Sequence, residues 1–500
     1  MSANGARSRA SSRRRFLSAA LVGLAAKTDR PITGTFVFRS EEAGHLLRER
    51  RPLPRTRETR RIPLVIVGGG ISGLSVAWRL EKRGFRDFVL LEMEADAGGN
   101  ARWGENQVSA YPWAAHYIPV PGPKAALVRE LLEEFGVLKD GYWEERYLCH
   151  SPQERLFIHG RWQDGLEPDA DHQEFARLAG RFAEFRSTAE FTIPMERGVR
   201  PSALDRISFR AWLEQNGFRS RYVHWYMDYC CRDDYGALSS ETSAWAGIHY
   251  FASREPDDKG PLTWPEGNGW IVRRLLAKLS RYVRTGAMVW RITREGARWR
   301  VATEKADYIC DAVIFAAPTY LAPYLVENAA PLKSFQYSPW IVANLTLDRL
   351  PREPTLESAW DNVIFDSPSL GYVVATHQSL RSRIDRTVWT YYWALAQGAP
   401  ADNRHALMAR DWDYWKEAIL GDLSRAHPGI RQCVARIDVF RMGHAMIRPT
   451  PGFLFSDERR RMARLEGRLL FANSDLSGLS LFEEAQYRGV KAAERALEIL

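Results

Sequence analysis

Cysteine is scarce in this sequence. Its 500 residues contain five, Cys149, Cys230, Cys231, Cys310 and Cys433. None forms a C-x-x-C pair and the number is odd, so no disulfide framework is expected and buried thiols are the plain reading. No zinc-finger spacing, metal-ligand cluster or Ser/His/Asp order stands out, and there is no internal repeat or low-complexity tract. A basic stripe with interleaved aromatics is also missing from the body of the chain, which argues against a nucleic-acid partner.

The formal charge of +9 does not restore that argument. Residues 1–61 hold 15 basic and 5 acidic residues, leaving 55 basic and 56 acidic in the remainder. The basic character therefore belongs to the start of the chain. At 45% hydrophobic and 26% charged, the rest is ordinary globular material, long enough for two or more domains.

Within that start, Ser12-Arg13-Arg14-Arg15-Phe16-Leu17 precedes an apolar run ending at Ala26. The run is shorter than the ~20 residues of a membrane-spanning helix. The hexapeptide resembles a twin-arginine export signal, which implies a folded protein delivered to the periplasm or beyond by that export machinery. An uncleaved leader would be its one membrane contact. Residues 27–61, with Pro52 and Pro54 in a charge run from Arg48 to Arg61, read as a basic linker.

The chemistry-bearing stretch follows. Pro63–Val67 predicts a buried strand, Gly68-Gly69-Gly70-Ile71-Ser72-Gly73 a turn, Leu74–Leu80 a helix ended by Gly84, and Asp87–Leu91 a second strand ending on Glu92. Strand, G-x-G-x-x-G, helix, strand and acid in this order predict a dinucleotide site. Gly68 permits the turn, Gly70 lets backbone approach a pyrophosphate, and Gly73 lets helix and strand pack closely. The helix N-terminus favours the pyrophosphate, and Glu92 suits the ribose hydroxyls. Beyond it, Gly98-Gly99 lets a loop pass near a ligand, and Arg102 is placed to meet a phosphate.

Farther along, helical patterns dominate 140–260, read as a mostly helical insertion. Strands are expected at Ala287–Ile292, Trp299–Thr303 and Asp311–Pro318. An antiparallel sheet is expected over 338–395, one or two helices over 404–427, a strand at Arg468–Ala472 and a closing helix at Glu483–Ile499.

Four blocks together resemble the flavin-containing amine oxidase superfamily: Gly68–Glu92, Gly98-Gly99, Val289–Pro318, and Leu469–Asp475 with Glu483–Ala493. The leader, the Gly-Gly-Asn at 98–100 and Ala-His-Tyr at 115–117 point to an exported bacterial subgroup. The resemblance implies an α/β fold, with a Rossmann-type FAD-binding domain (GR2-like) from residues 62–122, 262–325 and 440–500. A discontinuous α+β substrate domain would take 123–261 and 326–439.

The resemblance further implies FAD held by Gly68, Gly70, Ser72, Gly73, Glu92, Gly98, Gly99, Arg102, Val289, Asp475 and Glu483. No cysteine lies near Glu483, so no cysteinyl link is expected. His116 and Tyr117 fall where the family chain passes the flavin's reactive edge and are the catalytic candidates. The implied activity is hydride removal from an amine, polyamines included, with reoxidation by O2 or another acceptor. Four features depart from the family. Asn100 stands where the family's Gly-Gly-Arg loop carries arginine. Asn473 and Glu484 replace glycines. The strand Trp340–Leu347 lacks the lysine that many amine oxidases carry. Leu481-Phe482 offers no cage tyrosine.

The alternatives are a desaturase or dehydrogenase of an apolar substrate, in the manner of phytoene desaturase or protoporphyrinogen oxidase, and a non-catalytic flavin-binding partner. On the strand around Tyr391, Tyr392 and Trp393, alternation allows only one face to line a pocket. Asp228, Asp233 and Asp234 read as solvated acids at helix ends that would attract a cationic substrate if they were not.

Overall fold

The computed structural model describes residues 31–38, 41–49, 58–188, 190–195, 200–254, 260–352 and 356–500. The leader expected at 1–26 lies outside the described residues. Two sheets organise the chain. The first has five parallel strands in the order Val283–Arg284, Phe88–Leu91, Leu64–Val67, Ala312–Phe315, Leu469–Phe471. Leu64, Val65, Ile66 and Val67 are all buried, as a strand covered on both faces requires.

Helices Ile71–Lys82, Ala126–Glu134, Gly269–Leu279 and Phe482–Ile499 share one core through Leu74, Trp78, Leu131, Ile271, Leu275 and Val490. Helix Phe482–Ile499 lies directly on helix Ile71–Lys82. A Cβ on Gly489 would sit 2.3 Å from the Ser72 carbonyl oxygen, so only glycine allows this approach. Helix Ala126–Glu134, assigned from sequence to the substrate region, packs here instead. Its Val128, Leu131 and Leu132 repeat at the spacing of one buried stripe.

The second sheet has eight strands: Thr33–Val37, Val434–Ile447, Tyr337–Leu347, Thr387–Ala394, Tyr372–Val374, Asp361–Ile364, Glu154–Ile158 and Arg161–Asp164. Its centre is antiparallel as expected, with Trp340 opposite Ala394 and Leu347 opposite Thr387. Three features, the last partly in a separate four-stranded sheet, differ from the sequence reading. Val434–Ile447 runs straight through the boundary drawn at residue 440. The hairpin Glu154–Ile158 and Arg161–Asp164 lies inside the stretch read as helical. The stretch read as a linker supplies Thr33–Val37, paired in parallel with Val434–Ile447, and Thr59–Arg61, paired with Asp307–Cys310.

Helices His172–Ser187, Phe209–Gln215, Arg221–Tyr235 and Ala244–Ala252 form a separate aromatic core that includes Phe182, Trp212 and Trp245. Among the described residues no helix is long and apolar enough to cross a membrane. All five cysteines are free and buried. No group of three or more His, Cys, Asp or Glu among the described residues is placed to hold a metal ion.

Candidate active site

The glycine turn sits where the central strands of the parallel sheet end. Gly68 has φ +104°, a left-handed value that side chains disfavour. A Cβ on Gly73 would lie 1.9 Å from the Gly68 oxygen. Gly70 differs from both. A Cβ there would meet nothing nearer than Gly99 Cα at 3.9 Å, so the protein itself leaves this space open. Glu92 closes the turn from behind. Its two carboxylate oxygens accept the backbone N–H of Gly69 at 2.7 Å and of Glu94 at 2.8 Å. Burial raises its pKa, against those hydrogen bonds and the nearby Arg102 charge. Ala287 N–H donates to the Glu92 carbonyl at 2.8 Å, which brings the start of strand Val289–Glu295 to the same strand end.

The second loop packs on the first. Gly98 N–H donates to the Gly69 carbonyl at 2.8 Å. Asn100 anchors the loop to the large sheet through a hydrogen bond from Nδ2 to the Ala445 carbonyl. Arg102 is 8% exposed. Its Nε donates to the Gly99 carbonyl at 3.0 Å, while buried Nη1 has no hydrogen-bond partner. The nearest carboxylate to Nη1, on Glu94, is 3.8 Å away. Ser72 is occupied otherwise: its hydroxyl donates to the Ala485 carbonyl at 2.9 Å and ties the two stacked helices together.

The closing segment is built by side chains as well as backbone. Asp475 Oδ2 accepts the Thr319 N–H and the Tyr337 hydroxyl, each at 2.9 Å, joining three chain segments at one point. Glu484 is fully buried and accepts the Met195 N–H at 2.7 Å. Glu483 borders two adjoining cavities of about 270 and 230 Å³, both also lined by Lys124 and Ala125. Burial pushes its carboxyl up to about 7.

His116 and Tyr117 head a second cluster. The His116 ring stacks on Tyr392 at 4.5 Å and meets Trp360 at 5.5 Å. Its Nδ1 lies 3.2 Å from the Ala114 carbonyl, which can only accept, so Nδ1 carries the hydrogen and Nε2 the lone pair. Burial lowers its pKa to about 4. The Tyr117 hydroxyl donates to Asp233 at 3.2 Å, and the Tyr229 hydroxyl donates to Asp361 at 3.1 Å. Both aspartates are partly buried. Burial raises both, Asp233 to about 7, and Asp361 is raised further by the Glu154 and Asp233 charges. Asp234 pairs with Arg254 at 3.2 Å. Asp233 and Asp234 are thus interior residues, not the solvated helix-end acids read from sequence. Asp228 does hold a structural post, bonded to Arg210 and Ser239.

Period-two alternation sorts the aromatic strand cleanly. Tyr392 faces His116, whereas Tyr391 points the other way to bond Asp422 at 2.9 Å, and Trp393 packs on Trp415. Sequence reasoning missed Asp361, Trp360, Tyr229 and Arg254, which carry no local motif.

A family model, the NAD(P)-binding Rossmann-like domain, matches residues 66–135. Over 73 residues the chain is 40% identical to a Baeyer-Villiger monooxygenase of Penicillium patulum. That stretch covers 15% of this chain and 10% of the monooxygenase, so the chain spans about a tenth of the curated relative. Solved structures match far more of it. A putrescine oxidase bound to putrescine superposes with a TM-score of 0.68 at 16% identity, over 88% of this chain and 100% of the other. Cyclohexylamine oxidase from Brevibacterium oxydans gives 0.66 at 16% identity, over 87% and 99%. The chain has the fold of the flavin-containing amine oxidases.

The residues present suit a dinucleotide in this fold. Gly70 leaves open the space that a pyrophosphate needs, at a helix N-terminus that favours anions. Nη1 of Arg102 is a buried donor without a hydrogen-bond partner, its nearest carboxylate standing off at 3.8 Å. Glu92 stands at the strand end, where it can reach ribose hydroxyls through lone pairs its two backbone bonds leave over.

Proposed function

We propose that this chain is an FAD-dependent oxidoreductase that oxidises a cationic amine. The pair of carboxyls Asp233 and Asp361 inside a wall of Tyr117, Tyr229, Trp360 and Tyr392 carries the reading. Aromatic faces and carboxylates are the two groups that attract an ammonium in a dry site. Gly68, Gly70, Gly73, Glu92, Gly98, Gly99 and Arg102 would hold the dinucleotide end of FAD. FAD bound there would take up the hydride from the carbon beside nitrogen.

The protein's own task is to bind the ammonium and take its proton, because hydride leaves readily only from the neutral amine. His116 is poorly suited to that task. At a pKa of about 4 it is about six orders of magnitude too weak a base for an alkylammonium. Asp233, near 7, is the better acceptor, and Tyr117 holds it in place. His116 then serves as a stacking wall.

Anaerobic titration of the yellow protein with monoamines and diamines tests this reading. Bleaching of the flavin by an amine, lost in Asp233→Asn, is the expected outcome. A flavin that no amine bleaches would refute the substrate class, and a protein that cannot be reconstituted with FAD would refute the cofactor. Export in the folded state rests on Ser12–Leu17 alone. Retention of an Arg13→Lys/Arg14→Lys variant in the cytoplasm would support it.

A further inference from the structure

The segment Thr33–Phe38 ends against the dinucleotide site. Thr33–Val37 pairs in parallel with Val434–Ile447, Thr33 opposite Arg436 and Val37 opposite Phe440. Gly34 is required for this fit, since a Cβ there would lie 1.7 Å from the Ile437 oxygen. Arg441, from the same partner strand, lies over the Phe36 ring at 3.9 Å. The chain then turns sharply at Phe38, which adopts φ +52°, a left-handed value uncommon for a bulky side chain. Surrounding contacts must hold such a residue. Its ring meets Trp113 at 5.4 Å and Phe440 at 5.0 Å, both edge to face. Above it lies the Arg102 guanidinium, 4.3 Å from the ring centroid.

Arg102 is therefore clamped: the Gly99 carbonyl takes its Nε, the Phe38 ring supports its plane most closely, and the Phe440 ring lies 5.2 Å away. The clamp leaves Nη1 buried and without a hydrogen-bond partner, beside a loop whose Gly99 lies against the open Gly70. We propose that Thr33–Phe38 is a strap whose Phe38 positions Arg102 to bind the cofactor's phosphate, so that this segment controls how long the cofactor is retained. The inference rests on reading the glycine turn as an FAD site. Phe38 is a positioning residue: it acts through Arg102 and does not touch the cofactor itself.

The test uses the full chain and the rate of FAD release, followed by the rise in flavin fluorescence on dilution. Phe38→Gly is the decisive variant. Glycine accepts the φ of +52° without strain, so the backbone is eased while the ring is lost. Expected is release about tenfold faster from an apoprotein that still melts cooperatively, at a lower temperature because the ring's packing on Trp113 and Phe440 is lost. Arg102→Met should also speed release. Adding Phe38→Gly to Arg102→Met should change nothing further, because both act through one guanidinium. Release from Phe38→Gly at the wild-type rate would overturn the proposal. So would an equal acceleration in the Arg102→Met background, or a Phe38→Gly protein that does not fold, which would make the strap a fold element alone. A wild-type chain that binds no FAD is a different outcome and would overturn the cofactor reading.

Discussion

Gly70→Ala and Gly73→Ala differ by three positions and should behave oppositely. At Gly73 an added Cβ lies 1.9 Å from the Gly68 oxygen, so helix Ile71–Lys82 must move off the strand it packs against. Overpacking against backbone costs about 3 kcal/mol or more. At Gly70 the backbone is already at φ −73°, ψ −174°, open to any residue, and the new methyl meets only Gly99 Cα at 3.9 Å. Two small effects oppose each other there. Alanine is a worse helix N-cap than glycine by roughly 0.5–1 kcal/mol. It also reduces the freedom of the unfolded chain by about 0.4–1 kcal/mol. The net is about zero, and the melting temperature of the apoprotein should stay within about 2 °C.

The same methyl occupies the space left for a pyrophosphate. Pushing the phosphate out by one methyl forfeits at least one charge-assisted hydrogen bond, worth about 1.5–3 kcal/mol. FAD should then bind about 10- to 100-fold more weakly. Thermal melts of the apoproteins and FAD titration by fluorescence quenching measure both quantities. Wild-type FAD affinity in Gly70→Ala, or unfolding as severe as in Gly73→Ala, would show that Gly70 is a structural glycine and that the open space is not a ligand site.

Cationic amine binding should depend on pH through Asp233, raised to about 7 by burial. Below that pH it is neutral and attracts little; above it, it is a carboxylate. KM for an amine should therefore fall as pH rises from about 6 to 8, and binding at pH 6 should release protons. Calorimetry in buffers of different ionisation enthalpy measures that release, and Asp233→Asn should lower it. Arg155 is fully buried and donates to Asn362 Oδ1 at 2.6 Å and to the Leu356 carbonyl at 3.0 Å. Arg155→Met should cost about 3 kcal/mol in chemical denaturation. His427, held down to about 3 by burial and by the Arg155 charge, should titrate at higher pH in that variant when followed by NMR. The five buried thiols should resist an aromatic disulfide reagent until the chain unfolds, and reductant should leave the melting temperature unchanged.

What could be read from the residues was whatever local geometry dictates. The glycine turn was legible because backbone approach at Gly68 and Gly73 excludes every other residue. Tyr391 and Tyr392 were separable because a strand alternates. Val434–Ile447 was hidden by Arg436, Asp438, Arg441 and His444, which interrupt its apolar residues. Thr33–Val37 was hidden by the charges around it, and only its partner strand explains Gly34. The carboxyl pair was illegible for a different reason. Asp233 lies on a helix and Asp361 at the start of a strand, and only tertiary packing brings the two carboxyls near enough to feel each other's charge. Helix Arg221–Tyr235 shows buried residues at most of its positions, so no sequence stripe marks which acid faces inward.

The stacking of helix Phe482–Ile499 on helix Ile71–Lys82 also constrains how the chain is made. The bond from Ser72 to Ala485 joins residues 413 apart, and strand Leu64–Val67 waits for Ala312–Phe315 to gain its second neighbour. A ribosome must therefore release nearly the whole described chain before the glycine turn acquires its covering helix. Until then the apolar faces of Leu74 and Trp78 lack the cover that Val490 and its neighbours provide. Contacts this distant in sequence close slowly. The nascent chain thus passes through a long interval in which the dinucleotide half exposes apolar surface that only its last segments will cover.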